Sequence, residues 1–332
     1  MNLIKDKTRN EVIRLLGEGA DFMLYRLPGR TPKLVTARKP KVDVRIIPWN
    51  THLSDAIVPD DTAEATFELP SETPEQYYLE SLEKIISRLK QRGRAKTVIS
   101  RVIAGCNPEC DWVDIADCLW QKYPDTFGYL FYTSGTGGWV GATPEKLLFT
   151  FSPDTFTTCA LAGTLPTDVE WNRKNYDEQQ MVADFIKDTL TRLGLRFEEN
   201  GPRTLRYGAI KHLMTNFRGV MDNPEMQIPV LLDSLAPTPA LAGLPREDAL
   251  ADIADTELHR RGCYGGYIYV GDDTRVYTFV TIRCAQFDPR DGRWAVYAGG
   301  GITPASVPAD EWAETCAKSD TLVRLIRKEV PE

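Results

Sequence analysis

The spacing of hydrophobic residues along the chain predicts a protein that combines strands with helices. Leu79, Leu82 and Ile86 recur at helical spacing between Thr73 and Gly93. Thr73 has the side chain of a helix cap, and glycine commonly ends a helix. We therefore predict a helix that is capped by Thr73 and ends at Gly93.

Runs rich in β-branched and aromatic residues predict strands. They occupy residues 96–105, several segments within 125–165, and residues 264–270, 276–287 and 294–302. Several of these runs adjoin one another across short turns, as β-hairpins do.

Two further helices are predicted after the first. One covers about 172–194, and the last begins after Pro308 with Asp310 as its cap and continues to about Lys328. Strand runs outnumber helices and do not alternate strictly with them. This pattern favours an α+β fold over a doubly wound parallel sheet.

Composition narrows the possible functions. The chain has 332 residues, 42% of them hydrophobic, with a net charge of -7 and a pI near 5.3. An acidic balance argues against nucleic acid or an anionic membrane as a partner. The first residues lack a secretory signal and no segment is apolar enough to span a bilayer, so we expect a cytoplasmic protein. The seven cysteines lack the spacing of a disulfide framework, and we expect reduced thiols.

Glu311, Glu314 and Lys318 share one face of the predicted last helix, because they are three and four residues apart. Two carboxylates one turn apart can bind a hard cation, while the lysine meets an anion beside it. The alternative is a solvated acidic face with a supporting Glu–Lys pair.

The segment YAGGGI (297–302) ends a strand in three glycines, which lets backbone N–H groups approach an anionic ligand. A bulged strand end is the alternative. Arg283 lies in an otherwise apolar strand run and needs an anionic partner, either a protein carboxylate or a substrate carboxylate.

Lys96 and Glu145 are candidates for acid–base chemistry. Lys96 opens a strand, and Glu145 follows Gly-Ala-Thr-Pro in a structured loop. In apolar surroundings a lysine can serve as a base and a glutamate can be held protonated as an acid. Either residue fits a surface charge equally well on this pattern alone.

Together these segments resemble the chorismate-binding enzymes, which make isochorismate, salicylate, anthranilate or aminodeoxychorismate. The resemblance runs in order from about Lys96 to Lys318, roughly two thirds of the chain. Its motifs are KTVISR, GATPEKLL, ALAGT, KHLMTNFRG, PTPALAGLP, YGGYIYV, VTIRCA, YAGGGITPAS and EWAETCAK. The resemblance implies a single domain over residues 1–332, with two packed β-sheets flanked by helices on both outer faces. Residues 1–70 would form a shortened amino-terminal part, and residues 71–332 would form the core with the active site.

Within this family the resemblance favours an isochorismate synthase. ALAGT has alanine where aminodeoxychorismate synthases of one type carry a nucleophilic lysine. Lys96 matches the lysine of isochorismate and salicylate synthases, where anthranilate synthases usually have glutamine. KHLMT also differs from anthranilate synthases, so water rather than ammonia is the expected nucleophile. By the same resemblance Lys96 is the base that activates water, and Glu145 is the acid for the leaving hydroxyl.

The resemblance also implies a magnesium ion and a set of substrate contacts. Its ligands would be Glu178 and Glu314, with Glu311 beside them directly or through water. Magnesium suits such a site because it uses few carboxylates and keeps water and substrate oxygens.

Chorismate itself would be held by further matched residues. Arg283 and the backbone N–H groups of Gly300 and Gly301 would bind the enolpyruvyl carboxylate. Lys318 would add positive charge at the metal-bound end. Thr164 would contact the ring substituents, and His212 would orient groups of the pocket.

Other functions fit the same residues. A salicylate synthase would use Lys96 and Glu145 as well, an amino-transferring relative would use ammonia, and a non-catalytic chorismate-binding protein would only bind. Menaquinone and siderophore biosynthesis both use isochorismate. We expect no nucleic acid, membrane or glutaminase partner.

Three residues depart from those usual in the family, namely Gln179, Ala236 and Met214. These departures bear on the orientation of the metal ligands and on the size of the pocket.

Overall fold

The computed structural model describes residues 2–36, 42–59, 67–93, 95–207, 210–272 and 275–329, excluding the side chains of Thr164, Lys174, Tyr207 and Ile210. In this part of the chain two antiparallel β-sheets form the centre. The larger sheet has the order β11 (Gly243–Leu244), β4 (Lys96–Cys106), β15 (Arg293–Ile302), β14 (Cys284–Phe287), β6 (Gly137–Thr143), β5 (Phe127–Thr133), β1 (Phe22–Arg26) and β2 (Lys33–Thr36).

The second sheet has seven strands, and it shares no strand with the first. Its order is β3 (Asp43–Ile47), β12 (Tyr267–Gly271), β13 (Val276–Val280), β7 (Lys146–Ser152), β8 (Thr155–Pro166), β10 (Ile210–Val220) and β9 (Arg196–Tyr207). Residues before position 70 contribute strands to both sheets.

Helices cover the outer face of each sheet. The larger sheet carries α1 (Asp6–Glu18), α2 (Glu75–Arg92), α3 (Trp112–Lys122), α6 (Arg246–Thr256) and α7 (Pro308–Arg327). The second sheet carries α4 (Arg173–Arg192) and α5 (Pro224–Leu235). This architecture confirms the predicted α+β fold. No helix of the described residues has the length and apolarity to cross a membrane.

Aromatic rings fill the space between the two sheets. Phe127 of the larger sheet stacks on Phe279 of the second sheet, with ring centroids 4.3 Å apart. Phe149 meets Phe279 edge-on at 4.8 Å. Because side chains of a strand alternate between its faces, the opposite faces of the same strands contact the helices.

Three local predictions were wrong. Thr73 does not cap α2, since its hydroxyl accepts the N–H of Val102 (3.0 Å) and its own N–H donates to the Val102 carbonyl. The Thr73 side chain is therefore bonded to the backbone of β4 and does not cap α2, which begins at Glu75. Likewise α7 starts at Pro308, whose fixed φ suits the first helical position, so Asp310 lies inside the first turn.

The third correction concerns residues 276–287, which form two strands rather than one. β13 belongs to the second sheet and β14 to the larger sheet, so the chain crosses between sheets at residues 281–283. Arg283 lies in this crossing with a left-handed φ of 52°. Left-handed backbone is uncommon outside glycine, and here it redirects the chain from one sheet to the other.

Candidate active site

A cavity of about 250 Å³ lies between the two sheets, beside α4 and α7. Its size suits a small metabolite better than a dinucleotide. The structure brings most of the predicted site residues to its walls, namely Lys96, Glu145, Glu178, His212, Arg283, Gly301, Glu311, Glu314 and Lys318. Gly300 lies between two lining residues on β15, and the side chain of Thr164 is outside the described residues.

Lys96 is buried at the start of β4, with 2% of its surface exposed. Lys96 and Val98 face the cavity because alternate residues of a strand share a face. The Lys96 Nζ atom lies 2.6 Å from Glu178 Oε1 on α4. This ion pair spans the cavity from the larger sheet to the helix that covers the second sheet. The surface-charge alternative for Lys96 is therefore excluded.

Glu145 is held between β6 and β7. Its N–H donates to Thr143 Oγ1 (3.2 Å), and its carbonyl accepts the N–H of Val280 (3.0 Å). Burial raises the pKa of the Glu145 carboxyl to about 7, against the opposing effect of Lys96 and Lys318. A large share of the carboxyl is thus protonated at neutral pH, which is the state that an acid catalyst needs.

The glycines of β15 let side chains approach the strand closely. A Cβ atom on Gly301 would lie 2.7 Å from Lys96 Cε and 3.0 Å from Glu178 Oε1. A Cβ atom on Gly300 would lie 3.2 Å from Glu311 Oε2. β14 pairs with β15 only as far as Tyr297. Residues 298–302 of β15 therefore pair with β4 on one side, and no described strand pairs with their other edge.

Helix α7 places its polar face over this glycine segment. Glu311 is 4% exposed, so the predicted alternative of a solvated acidic face is wrong for this residue. Lys318 Nζ lies 2.5 Å from Glu314 Oε1 and donates to the Gly299 carbonyl (2.9 Å).

Arg101 anchors α7 to β4, a role for which the sequence pattern gave no signal. Its guanidinium stacks over the Trp312 ring at 3.8 Å, and its Nε donates to Thr315 Oγ1 (2.7 Å). This contact fixes the helix that carries the acidic residues against the strand that carries Lys96.

Arg283 and His212 form a different wall of the cavity. The Arg283 Nη1 donates to the Lys318 carbonyl (3.4 Å), and no carboxylate among the described residues pairs with this guanidinium. Glu314 acts on this guanidinium only as a nearby charge, and binding of a ligand carboxylate stays a prediction. Burial, together with Arg283 and Lys318, lowers the pKa of His212 to about 4, so its imidazole is neutral at pH 7.

Glu178, Glu311 and Glu314 supply the oxygen donors that a hard cation prefers. Their carboxylates border the same cavity, two of them beside Gly300 and Gly301. In the described part of the chain no three acidic, histidine or cysteine side chains converge as a ready-made metal cluster. The magnesium ion that the resemblance implies, whose octahedral shell water and ligand oxygens would complete, stays a prediction for this site.

Of the unusual residues of the sequence, Gln179 directly follows Glu178 on α4, and Met214 lies on β10. Gln179 is buried and donates to Thr215 Oγ1 (2.7 Å) on β10, so its amide supports α4 against the second sheet. Met214 is not among the residues that line the cavity. What the Met214 departure means for the product stays untested.

A family model described as chorismate binding enzyme matches residues 47–327. Isochorismate synthase EntC of Escherichia coli is 29% identical over 245 residues, which cover 69% of this chain and 62% of that protein. Isochorismate synthase DhbC of Bacillus subtilis is 30% identical over 278 residues, covering 77% and 68%. Anthranilate synthase component 1 of Acetivibrio thermocellus is 28% identical over 218 residues, covering 60% and 43%. The chain thus spans less than two thirds of the length of EntC.

Two solved structures share the fold. MenF, the menaquinone-specific isochorismate synthase of Escherichia coli, superimposes with a TM-score of 0.70 at 18% identity, over 98% of this chain and 84% of that one. Anthranilate synthase component I of Streptococcus pneumoniae gives a TM-score of 0.67 at 20% identity, over 80% and 61%.

Proposed function

Because the chain belongs to the chorismate-binding enzyme family, we propose that it is an isochorismate synthase, an isomerase acting on chorismate. The observation that carries this proposal is that Lys96 and Glu145 line the same cavity. The first is a buried lysine, and the second is a carboxyl whose pKa is about 7. A displacement that takes one proton and gives another needs two such groups.

In the proposed reaction Lys96 takes a proton from a water molecule that adds to ring carbon 2. Glu145 gives its proton to the hydroxyl that leaves carbon 4. One water is consumed and one is released, so the product is an isomer of the substrate. Removing a positioned acid or base typically slows a reaction ~10²–10⁴-fold.

The charged residues of the cavity orient the dianionic substrate. Arg283 binds the enolpyruvyl carboxylate, since its guanidinium has no protein carboxylate as a partner in the described residues. Glu178, Glu311 and Glu314 would hold a magnesium ion, which would supply positive charge for the ring carboxylate. Lys318 adds a second positive charge at the glycine segment.

Product identification tests the proposal directly. The purified protein is incubated with chorismate and Mg²⁺, and the products are separated by HPLC. We expect isochorismate from the wild type and none from Lys96→Ala or from a sample treated with a chelator. Salicylate and pyruvate as products would replace the proposal with a salicylate synthase. Binding of chorismate without turnover would replace it with a non-catalytic binding protein.

A second incubation with ammonium chloride separates the remaining alternative. Anthranilate synthases are among the relatives of the chain, and an amino-transferring enzyme would form an aminated product under these conditions. We expect isochorismate alone, formed without any added glutaminase.

A further inference from the structure

Glu145 separates two cavities of very different size. It lines the 250 Å³ cavity of the candidate site and also a small chamber of about 10 Å³. Leu161 and Ala240 form part of the wall of both. The chamber is close to the minimum size that one water molecule needs.

A second polar group faces this chamber. Thr238 Oγ1 is buried and has no hydrogen-bond partner among the described residues. The same hydroxyl nonetheless acts on Glu145 as a hydrogen-bond donor of poor geometry, which opposes the burial-driven rise of the pKa of its carboxyl. The two polar groups thus border a chamber the size of one water molecule and have no direct hydrogen bond of good geometry. A buried water molecule commonly bridges polar groups in such an arrangement.

The chamber also has a neighbour on the solvent side. Phe185 of α4 lines both the chamber and an open surface groove, where Asp188 is exposed to water. Phe185 is half-buried, and the Arg246 guanidinium lies 4.8 Å from its ring centroid. The ring of Phe185 therefore stands between the chamber and bulk water.

We propose that the chamber holds one water molecule, bonded to Glu145 and Thr238, and that Phe185 controls its exchange with the surface groove. Glu145 then regains its proton from the side opposite the substrate. This inference rests on the proposed function for its catalytic meaning, whereas the water site itself does not depend on that function.

The proton balance explains why a second access route is useful. In each turnover Glu145 loses a proton to the leaving hydroxyl, and Lys96 keeps the proton of the attacking water. While product fills the cavity, these two groups are separated. Lys96 can release its proton to solvent from the front, and Glu145 takes one from solvent through the chamber.

The charged and titratable groups around Glu145 come from several elements. Lys96 on β4 and Lys318 on α7 favour its carboxylate, and burial disfavours it. The Cys159 thiol on β8 lies beside the carboxyl, where burial raises its own pKa to about 12, so it stays neutral. Thr238 and its water are thus the neutral donors that stabilise the carboxylate from behind.

Infrared difference spectroscopy of the intact protein tests the water site without any substrate. The carboxyl band of Glu145 is assigned by its loss in Glu145→Gln and is followed as a function of pH. Thr238→Val removes a donor to the carboxylate, and we expect the midpoint to rise by about one pH unit. Thr158→Val is the matched control, since Thr158 lines the same chamber but donates to the Leu147 carbonyl (2.6 Å).

The result for the control decides the interpretation. An unchanged midpoint in Thr238→Val, or an equal shift in Thr158→Val, would overturn the water site. Neither outcome depends on whether chorismate is turned over, so failure of the proposed reaction is recognised separately by HPLC.

The role of Phe185 is tested by hydrogen–deuterium exchange of the same carboxyl band. Lys96→Ala is saturated with chorismate, which blocks the front of the cavity without turnover. We expect exchange severalfold faster when Phe185→Ala is added, and thermal melting verifies that the double variant is folded. Equal exchange rates in the two proteins would exclude a route past Phe185.

Discussion

Replacing Gly301 by alanine tests whether Lys96 must keep its present position. A Cβ atom at Gly301 would lie 2.7 Å from Lys96 Cε, whereas ordinary contact begins at 3.4 Å. The lysine therefore has to move by about 0.7 Å, and Glu178 Oε1, 3.0 Å from the same Cβ, by about 0.4 Å, which disturbs their ion pair. Misplacing a reacting group by ~1 Å can cost about 10²-fold in rate, and we expect a loss of kcat approaching that size.

Gly300→Ala is the matched control for this experiment. Its Cβ would lie 3.2 Å from Glu311 Oε2, so the neighbour has to give by only about 0.2 Å, and we expect less than a ~10-fold loss. Neither glycine has a positive φ, so alanine adds no backbone strain. Isochorismate formation is measured by HPLC, and circular dichroism verifies folding. A Gly301→Ala enzyme within a few fold of wild type, or an equal loss in both variants, would refute the reasoning.

Three further results are expected. Glu145→Gln should lower kcat ~10²–10⁴-fold. Wild-type activity should also fall as pH rises through about 7, because the protonated carboxyl is then lost. A pH–rate profile that stays flat from pH 6 to pH 8, on the order of one unit either side of that pKa, would contradict this role. In the wild type the buried guanidinium of Arg261 lies 2.6 Å from Glu257 Oε1, and Glu257→Gln removes this carboxylate. We expect the variant to lose about 3–5 kcal/mol of unfolding free energy in a urea titration. A loss below about 1 kcal/mol would contradict this expectation. Glu178→Gln should weaken Mg²⁺ binding ~10-fold or more in calorimetry with chorismate present, and an unchanged affinity would remove this residue from the metal site.

The sequence predicted most elements of the fold because their signals are local. β4 has β-branched residues throughout, and α4 combines a long apolar stripe with Asn172 at its start, where the side chain accepts the N–H of Asn175. Glycine at position 93 ended α2 as expected, with a φ of 79°.

Features set by tertiary contacts were beyond such patterns. Both strands of the run 276–287 are largely buried, so no alternation of apolar and polar residues marks the crossing at Arg283. The hydroxyl of Thr73 is used by a strand that lies 29 residues away in sequence. The same holds for Arg101, whose contacts with α7 join parts of the chain more than 200 residues apart.

The candidate site shows the same division. The family motifs predicted which residues gather at the cavity, but only the structure revealed that Lys96 pairs with Glu178. A burial-dependent property, such as the raised pKa of Glu145, depends on the whole surrounding shell. The residues of that shell come from distant parts of the chain, so the sequence around Glu145 does not reveal them.

The aromatic layer between the sheets has a consequence for substrate selection. One wall of the cavity belongs to the larger sheet and the other to the second sheet, so the stacked rings of Phe127 and Phe279 act as spacers that set the width of the cleft. A smaller ring in this layer would let the sheets approach and bring Lys96 and Glu145 closer together. Substitutions in the core, out of contact with the ligand, can thus retune which molecules the cleft accepts.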